Sequence, residues 1–144
     1  MKINFIPFWL CLTFTLPPAW AETVTLQLGG HAIQAEIANT PDSRERGLMQ
    51  RSHLCTECGM LFIFPEAGKI RFWMKNTILP LSIAFITSNG VILNIEEMLP
   101  NTTDIHGSQG DAQYALEMNR AWFDGHQIKP GAVIQGLTQV PPGN

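Results

Sequence analysis

The chain has 144 residues, of which 45% are hydrophobic and only 15% charged, with 12 Gly and 10 Pro. That balance is too apolar for a disordered polypeptide and too rich in chain breakers for a helical bundle or coiled coil, so one small β-rich domain is the prior. A net charge of −3 without a basic run excludes the electrostatic footprint of a nucleic-acid binder.

The first segment places Lys2 before an apolar stretch from Ile3 to Leu16, then Pro17-Pro18 and Ala19-Trp20-Ala21. A positive start, an apolar core and a small-x-small site form a signal peptide, with cleavage expected after Ala21. The apolar stretch falls short of the roughly 20 residues a spanning helix needs, so no membrane anchor is expected once it is removed. An exported, periplasmic monomer follows, with residues 1–21 as signal, 22–136 as a single β-rich domain and 137–144 as a loose tail.

In chain order, Thr23 to Leu28 and Ala32 to Ala38 alternate around Gly29-Gly30, the pattern of a hairpin. Thr40 to Arg51 is a helix candidate, with Thr40 as N-cap and Pro41 at the first helical position; Gly47 inside it suggests close packing against another backbone. Cys55 and Cys58 then stand three positions apart as the remaining thiols after Cys11 leaves with the signal. In an oxidising compartment they suit a local disulfide, redox chemistry, or a soft-metal site with Met49, His53 and Met60.

Met60 to Phe64 is apolar on both faces and belongs in the centre of a sheet, ended by Pro65. Strands follow at Arg71 to Lys75, Leu81 to Thr87, Val91 to Glu97 and Gln113 to Met118, the second and third of these joined by Ser88-Asn89-Gly90. Pro100 to Gly110 is polar and turn-rich and reads as a surface loop; Ala121 to His126 suits one helical turn and Ala132 to Gln135 a last strand. The fold class expected is mainly β: a small β-sandwich, jelly-roll-like domain or partly open barrel with one or two short helices.

Chemistry concentrates in Arg71-Phe72-Trp73-Met74-Lys75-Asn76-Thr77. Period-two alternation sets Arg71, Trp73 and Lys75 on one face, two cations flanking an indole, a platform for an anionic or sugar-like ligand. Asn76 and Thr77 add hydrogen-bonding groups. On the strand Gln113 to Met118, Tyr114, Leu116 and Met118 share one face, and Glu117 lies on the other, where Arg46, Arg71 or Lys75 would be its natural partner. The candidate ligand site is therefore Arg46, Arg71, Trp73, Lys75, Asn76, Thr77 and Glu117, taking a small polar or anionic ligand or a protein partner. No Gly-x-Ser-x-Gly elbow, His-Glu-x-x-His or phosphate-cradling glycine loop occurs, and His31, His53, His106 and His126 are scattered singly. No catalytic constellation, cofactor site or metal site is assigned.

The order Glu36-Ile37-Ala38, Thr40, Arg44-Glu45-Arg46-Gly47-Leu48-Met49-Gln50-Arg51, Gly59-Met60-Leu61-Phe62-Ile63-Phe64, Phe72-Trp73-Met74-Lys75-Asn76-Thr77 with Pro80-Leu81, and Leu116-Glu117-Met118 resembles the bacterial and archaeal family known as domain of unknown function 192, over about residues 23 to 136. The resemblance implies a small, mainly β, often exported domain with no established activity, substrate or cofactor. Its blocks fall on Arg46, Gly47, Met49, Trp73, Lys75, Asn76, Thr77 and Glu117. The chain departs from the family pattern at Ser82, where an acidic residue is usual after Pro-Leu, and in carrying Cys55 and Cys58.

Overall fold

The computed structural model describes residues 21–144. The signal-peptide reading of residues 1–21 lies outside the described residues except for Ala21.

The described chain is mainly β, as its alternation implies. Strands β1 (Thr23–Leu28), β2 (His31–Ala38), β3 (Cys58–Gly68), β5 (Leu81–Ile86), β6 (Ile92–Met98) and β8 (Ala112–Asn119) form one six-stranded sheet in the order β1-β2-β3-β8-β5-β6. A two-stranded ribbon, β4 (Arg71–Phe72) with β7 (His106–Gly107), is separate. The sheet does not close into a barrel. Helices are short: α1 (Pro41–Arg46) and α2 (Trp122–Gly125).

Gly29 and Gly30, both at positive φ, make the tight β1–β2 turn that sets Leu28 opposite His31. β2 and β3 run parallel, which requires a crossover, and that crossover carries α1 and the cysteine loop. All other pairings are antiparallel.

Because β3, β8 and β5 are central, both faces of the sheet are covered. Leu61, Ile63, Leu116, Met118, Ala84 and Ile86 pack on one side against Trp122, Phe123 and Ile134. Met60, Phe62, Ala115, Ile83 and Phe85 pack on the other against Leu48, Met74, Leu79 and Met98. Gly59 fixes how closely β3 and β8 approach: a Cβ there would meet the Glu117 carbonyl at 2.5 Å and run into the Met118 sulfur.

Several boundaries differ from those expected. The helix stops at Arg46 because Gly47 takes φ +45°, although its opening is as anticipated, with Thr40 Oγ1 accepting from the Ser43 amide at 3.1 Å and Ser43 Oγ accepting from the Thr40 amide at 2.9 Å. Pro65 does not end β3; the strand runs to Gly68 while its pairing with β8 shifts register between Ile63 and Gly68. The ribbon strand β4 stops at Phe72 rather than Lys75, because the amide of Met74 donates instead to the Thr102 carbonyl at 3.0 Å. The stretch 100–110 contains β7 and is tied down by Asn94, which donates to the Gly107 carbonyl at 3.0 Å and accepts from the Gln109 amide at 3.0 Å. Residues 132–135 form isolated bridges to Gln27 and Val91 in place of a strand. The stretch 137–144 is not left loose: the Asn144 amide donates to the Asn39 carbonyl at 2.8 Å, and Arg44 donates to the Asn144 oxygen at 2.7 Å.

Cys55 and Cys58 stand at disulfide distance, with Cα atoms 5.0 Å apart. The loop they close presents Glu57, whose carboxylate accepts from the Trp122 indole at 3.1 Å and lies 3.6 Å from His126 Nε2. The bond thereby fastens the entrance of β3 to α2. Replacing both cysteines with serine removes the constraint on a four-residue loop and is expected to lower unfolding free energy by about 2 kcal/mol, read by urea denaturation against the oxidised parent. An unchanged midpoint would show the loop to be held by its hydrogen bonds alone.

Candidate functional site

The site is built on β8, the strand at the middle of the sheet. Alternation turns Leu116 and Met118 to one core and Glu117 to the other, where it stands opposite Met60 of β3 and Ile83 of β5. Glu117 is 4% exposed, makes no hydrogen bond or ion pair among the described residues, and forms part of the floor of a cavity of about 230 Å³. Apolar neighbours on both flanking strands strip water from the carboxyl. Burial pushes its pKa up to about 8, so at neutral pH the group is protonated and can donate a hydrogen bond.

The walls come from two segments laid across the sheet. Arg44 to Met49 brings α1 and the turn after it to one side; Gly47 lets that turn close on the sheet, since a Cβ there would sit 3.2 Å from the Phe62 ring. Arg44 is a fixture of the fold: its guanidinium donates to the carbonyls of Asn39 and Ile63, both at 2.8 Å, and lies 5.0 Å from the centre of the Phe64 ring. The opposite wall is Arg71, Phe72, Trp73 and Thr77. Phe72 packs edge-on against Phe62 at 4.8 Å, which anchors the ribbon over the sheet. Beyond it the chain turns through Asn76 at φ +54°, held by hydrogen bonds from the Gln50 amide to the Asn76 carbonyl (2.9 Å) and from the Asn101 amide to the Thr77 carbonyl (3.0 Å). Thr77 is buried, and its hydroxyl donates to the Lys75 carbonyl at 3.2 Å.

The cavity adjoins an outer groove of about 420 Å³ that shares Glu45, Arg46, Met49 and Trp73 and adds Asp42, Lys75 and Asn76. All seven residues singled out from the sequence are therefore brought to this one place: Arg46, Arg71, Trp73, Thr77 and Glu117 line the inner cavity, and Arg46, Trp73, Lys75 and Asn76 the outer groove. Trp73 is 45% exposed, and the Lys75 ammonium stands 5.3 Å from the centre of its indole, the contact that alternation suggested. One expectation fails. Glu117 pairs with none of Arg46, Arg71 and Lys75, because the carboxyl is at the floor and the cations are exposed at the mouth; among the described residues those cations make no ion pairs.

Sequence reasoning missed Arg44 and the apolar wall of Phe62, Phe64 and Phe72. The signal was present for the phenylalanines, since Phe62 shares the face of Met60 by alternation. Ser82, which stands where an acidic residue is usual, is fully buried; its hydroxyl donates to Glu97 across the strand pair at 2.7 Å and accepts from the Ala121 amide at 2.8 Å. It builds the corner between β8 and α2 rather than the cavity. Among the described residues no three of His, Cys, Asp and Glu gather as metal ligands.

Residues 24–136 match the model of the family DUF192, described as Uncharacterized ACR. Two solved structures are similar. One, from Sinorhizobium meliloti 1021 and described as a candidate transcription regulator, is 35% identical, with a TM-score of 0.78 over 81% of this chain and 95% of that one. The other, a protein of unknown function from Novosphingobium aromaticivorans DSM 12444, is 29% identical, with a TM-score of 0.79 over 83% of this chain and 89% of that one. No curated protein matches.

The buried carboxyl has a consequence for stability. With the folded pKa raised to about 8 and the unfolded carboxyl near 4.5, the folded state binds the extra proton between these values. Stability is therefore greatest below pH 4.5 as far as this group is concerned, falls as pH rises toward 8, and is flat above it. Glu117→Gln, which cannot ionise, is expected to remove most of that fall, a difference of about 3 kcal/mol between pH 5 and pH 8 in paired urea titrations. Parallel pH profiles for the two proteins would mean that the carboxyl is hydrated.

Proposed function

The chain belongs to the DUF192 family over residues 24–136, and from that premise we propose that it is a non-catalytic binding or accessory module whose ligand, small and polar or anionic, is held in the cavity beside Trp73. The observation that carries this reading is the convergence of a buried, unpaired carboxyl, an exposed indole and unpaired cations on one concavity. No described side-chain oxygen or nitrogen is both fully buried and without a partner, so the Glu117 carboxyl is open to the cavity, where a bound group can reach it. Arg46 and Arg71, without ion pairs among the described residues, each offer a donor group to an anion, beside Asp42 and Glu45 on the same rim, and the indole offers flat contact area at little cost in conformational entropy.

The setting proposed is the periplasm of a protein exported through residues 1–21, where an oxidised Cys55–Cys58 loop would be stable. The name given to the Sinorhizobium meliloti protein points to transcription for that protein; here a net charge of −3 with no basic run favours a small ligand over nucleic acid.

The test is thermal unfolding of the parent and Trp73→Ala against a panel of envelope-derived sugars, organic acids and phosphates at neutral pH. An exposed tryptophan contributes little to the core, so both proteins should melt within a few degrees of each other without ligand. A ligand at about 100 times its Kd should stabilise the parent by about 2.7 kcal/mol, a shift of roughly 10 °C for a domain of this size, and leave the variant unmoved. A panel that shifts neither protein contradicts the reading.

A further inference from the structure

Resting on that binding reading, we propose that the cavity takes a small hydroxylated organic anion, a sugar acid or sugar phosphate, with its charged group at the mouth beside Arg46 and Arg71 and a hydroxyl on the Glu117 carboxyl at the floor.

The site has two chemically different ends. At the mouth, Arg46 and Arg71 are exposed and make no ion pair among the described residues, so a charge-assisted bond to an anion displaces no protein partner. At the floor, Glu117 is 4% exposed and has no hydrogen-bond partner among the described residues; on the wall, the Thr77 hydroxyl already donates to the Lys75 carbonyl and offers only lone pairs. A protonated carboxyl presents a donor in its O–H and an acceptor in its carbonyl oxygen, which a ligand hydroxyl satisfies in both senses. Between the ends, Phe72 and Trp73 supply apolar faces for the C–H surface of a small ring. An inner volume of about 230 Å³ opening on a wider groove accommodates one ring with a charged substituent. A simple anion would satisfy the mouth alone and a neutral sugar the floor alone, while an aliphatic acid would set methylene groups against the carboxyl.

The ionisation of Glu117 makes the pairing pH-dependent. The charged groups around it are Arg44, Glu45 and Arg46 from α1 and Arg71 from β4; β3 and β5 present Met60, Phe62 and Ile83, and the turn before β5 presents Thr77. Below about pH 8 the carboxyl donates; above it the donor is lost and a negative charge faces the anion.

Calorimetric titration of the purified protein with D-glucuronate, glucose 6-phosphate, glucose, acetate and inorganic phosphate, at pH 7 and pH 9, tests this. At pH 7 glucuronate or glucose 6-phosphate should bind at least tenfold more tightly than glucose and than the simple anion it carries, and whichever of the two is tighter identifies carboxylate or phosphate as the anion. Arg71→Ala should cost that ligand about tenfold and leave glucose unchanged. From pH 7 to pH 9 the parent should lose about tenfold, as follows from a required proton with a pKa of about 8, while Glu117→Gln, with its amide donor intact, should show a flat profile. Acetate or phosphate binding as tightly as the sugar anions, or identical pH profiles for parent and Glu117→Gln, overturns the proposal. If none of the five binds but another panel compound gives a Trp73-dependent shift, the ligand class is wrong and the binding reading stands; if no compound shifts the protein, both fall.

Discussion

The burial of one carboxyl on the central strand governs the rest of the candidate site. β8 is bonded on both edges, to β3 and β5, so the position of Glu117 is set by two ladders of main-chain hydrogen bonds and cannot relax toward water without breaking them. Its cross-strand neighbours, Met60 and Ile83, are apolar, and the close approach of β3 at Gly59 keeps them there. The result is a neutral acid at neutral pH, able to donate a hydrogen bond, at a site whose rim carries both cations (Arg46, Arg71, Lys75) and carboxylates (Asp42, Glu45) that are unpaired among the described residues.

The walls around that carboxyl are held by hydrogen bonds to main-chain groups of segments distant in sequence and by the packing of Phe72 on Phe62. The wall that carries Trp73 is held through Met74, Asn76 and Thr77 by the carbonyl of Thr102 and the amides of Gln50 and Asn101. The facing wall is fastened through Arg44, which spends its donors on main-chain oxygens of Asn39, Ile63 and Asn144. The cavity is lined partly by regular elements, α1, β3, β4 and β8, and partly by the irregular chain of Gly47 to Met49 and Trp73 to Thr77 that closes over them. The cysteine loop does comparable work at the opposite face, where Glu57 ties the start of β3 to Trp122 and His126.

The strands and the faces they present were legible in the sequence because alternation is a local property: Val24, Leu26 and Leu28, or Leu116 and Met118 against Glu117, can be assigned without knowing the partner strand. Gly29-Gly30 and Asn89-Gly90 were legible for the same reason. What failed depended on partners. The Arg71 to Lys75 alternation persists in burial, with Met74 inside and Trp73 outside, yet the strand ends at Phe72 because Met74 bonds to Thr102, a residue nothing local could nominate. Pro65 looked like a terminator, but proline, which fixes φ and removes a donor, is tolerated where the ladder is interrupted, and β3 continues across the register shift. The seven candidate residues gather around one groove, whereas the ion pair expected for Glu117 does not form, since sequence assigns a face but not a depth. The phenylalanine wall was hidden in a run that also reads as ordinary core.

The direct measurement is the titration of the Glu117 carboxyl itself, followed by carbon NMR of selectively labelled glutamate with Glu117→Gln as the assignment control. The account predicts one side-chain carboxyl resonance, absent from the variant, with a midpoint near pH 8. A midpoint near 4.5, in line with a hydrated glutamate, would contradict a neutral donor at the cavity floor and with it the chemistry assigned to the site.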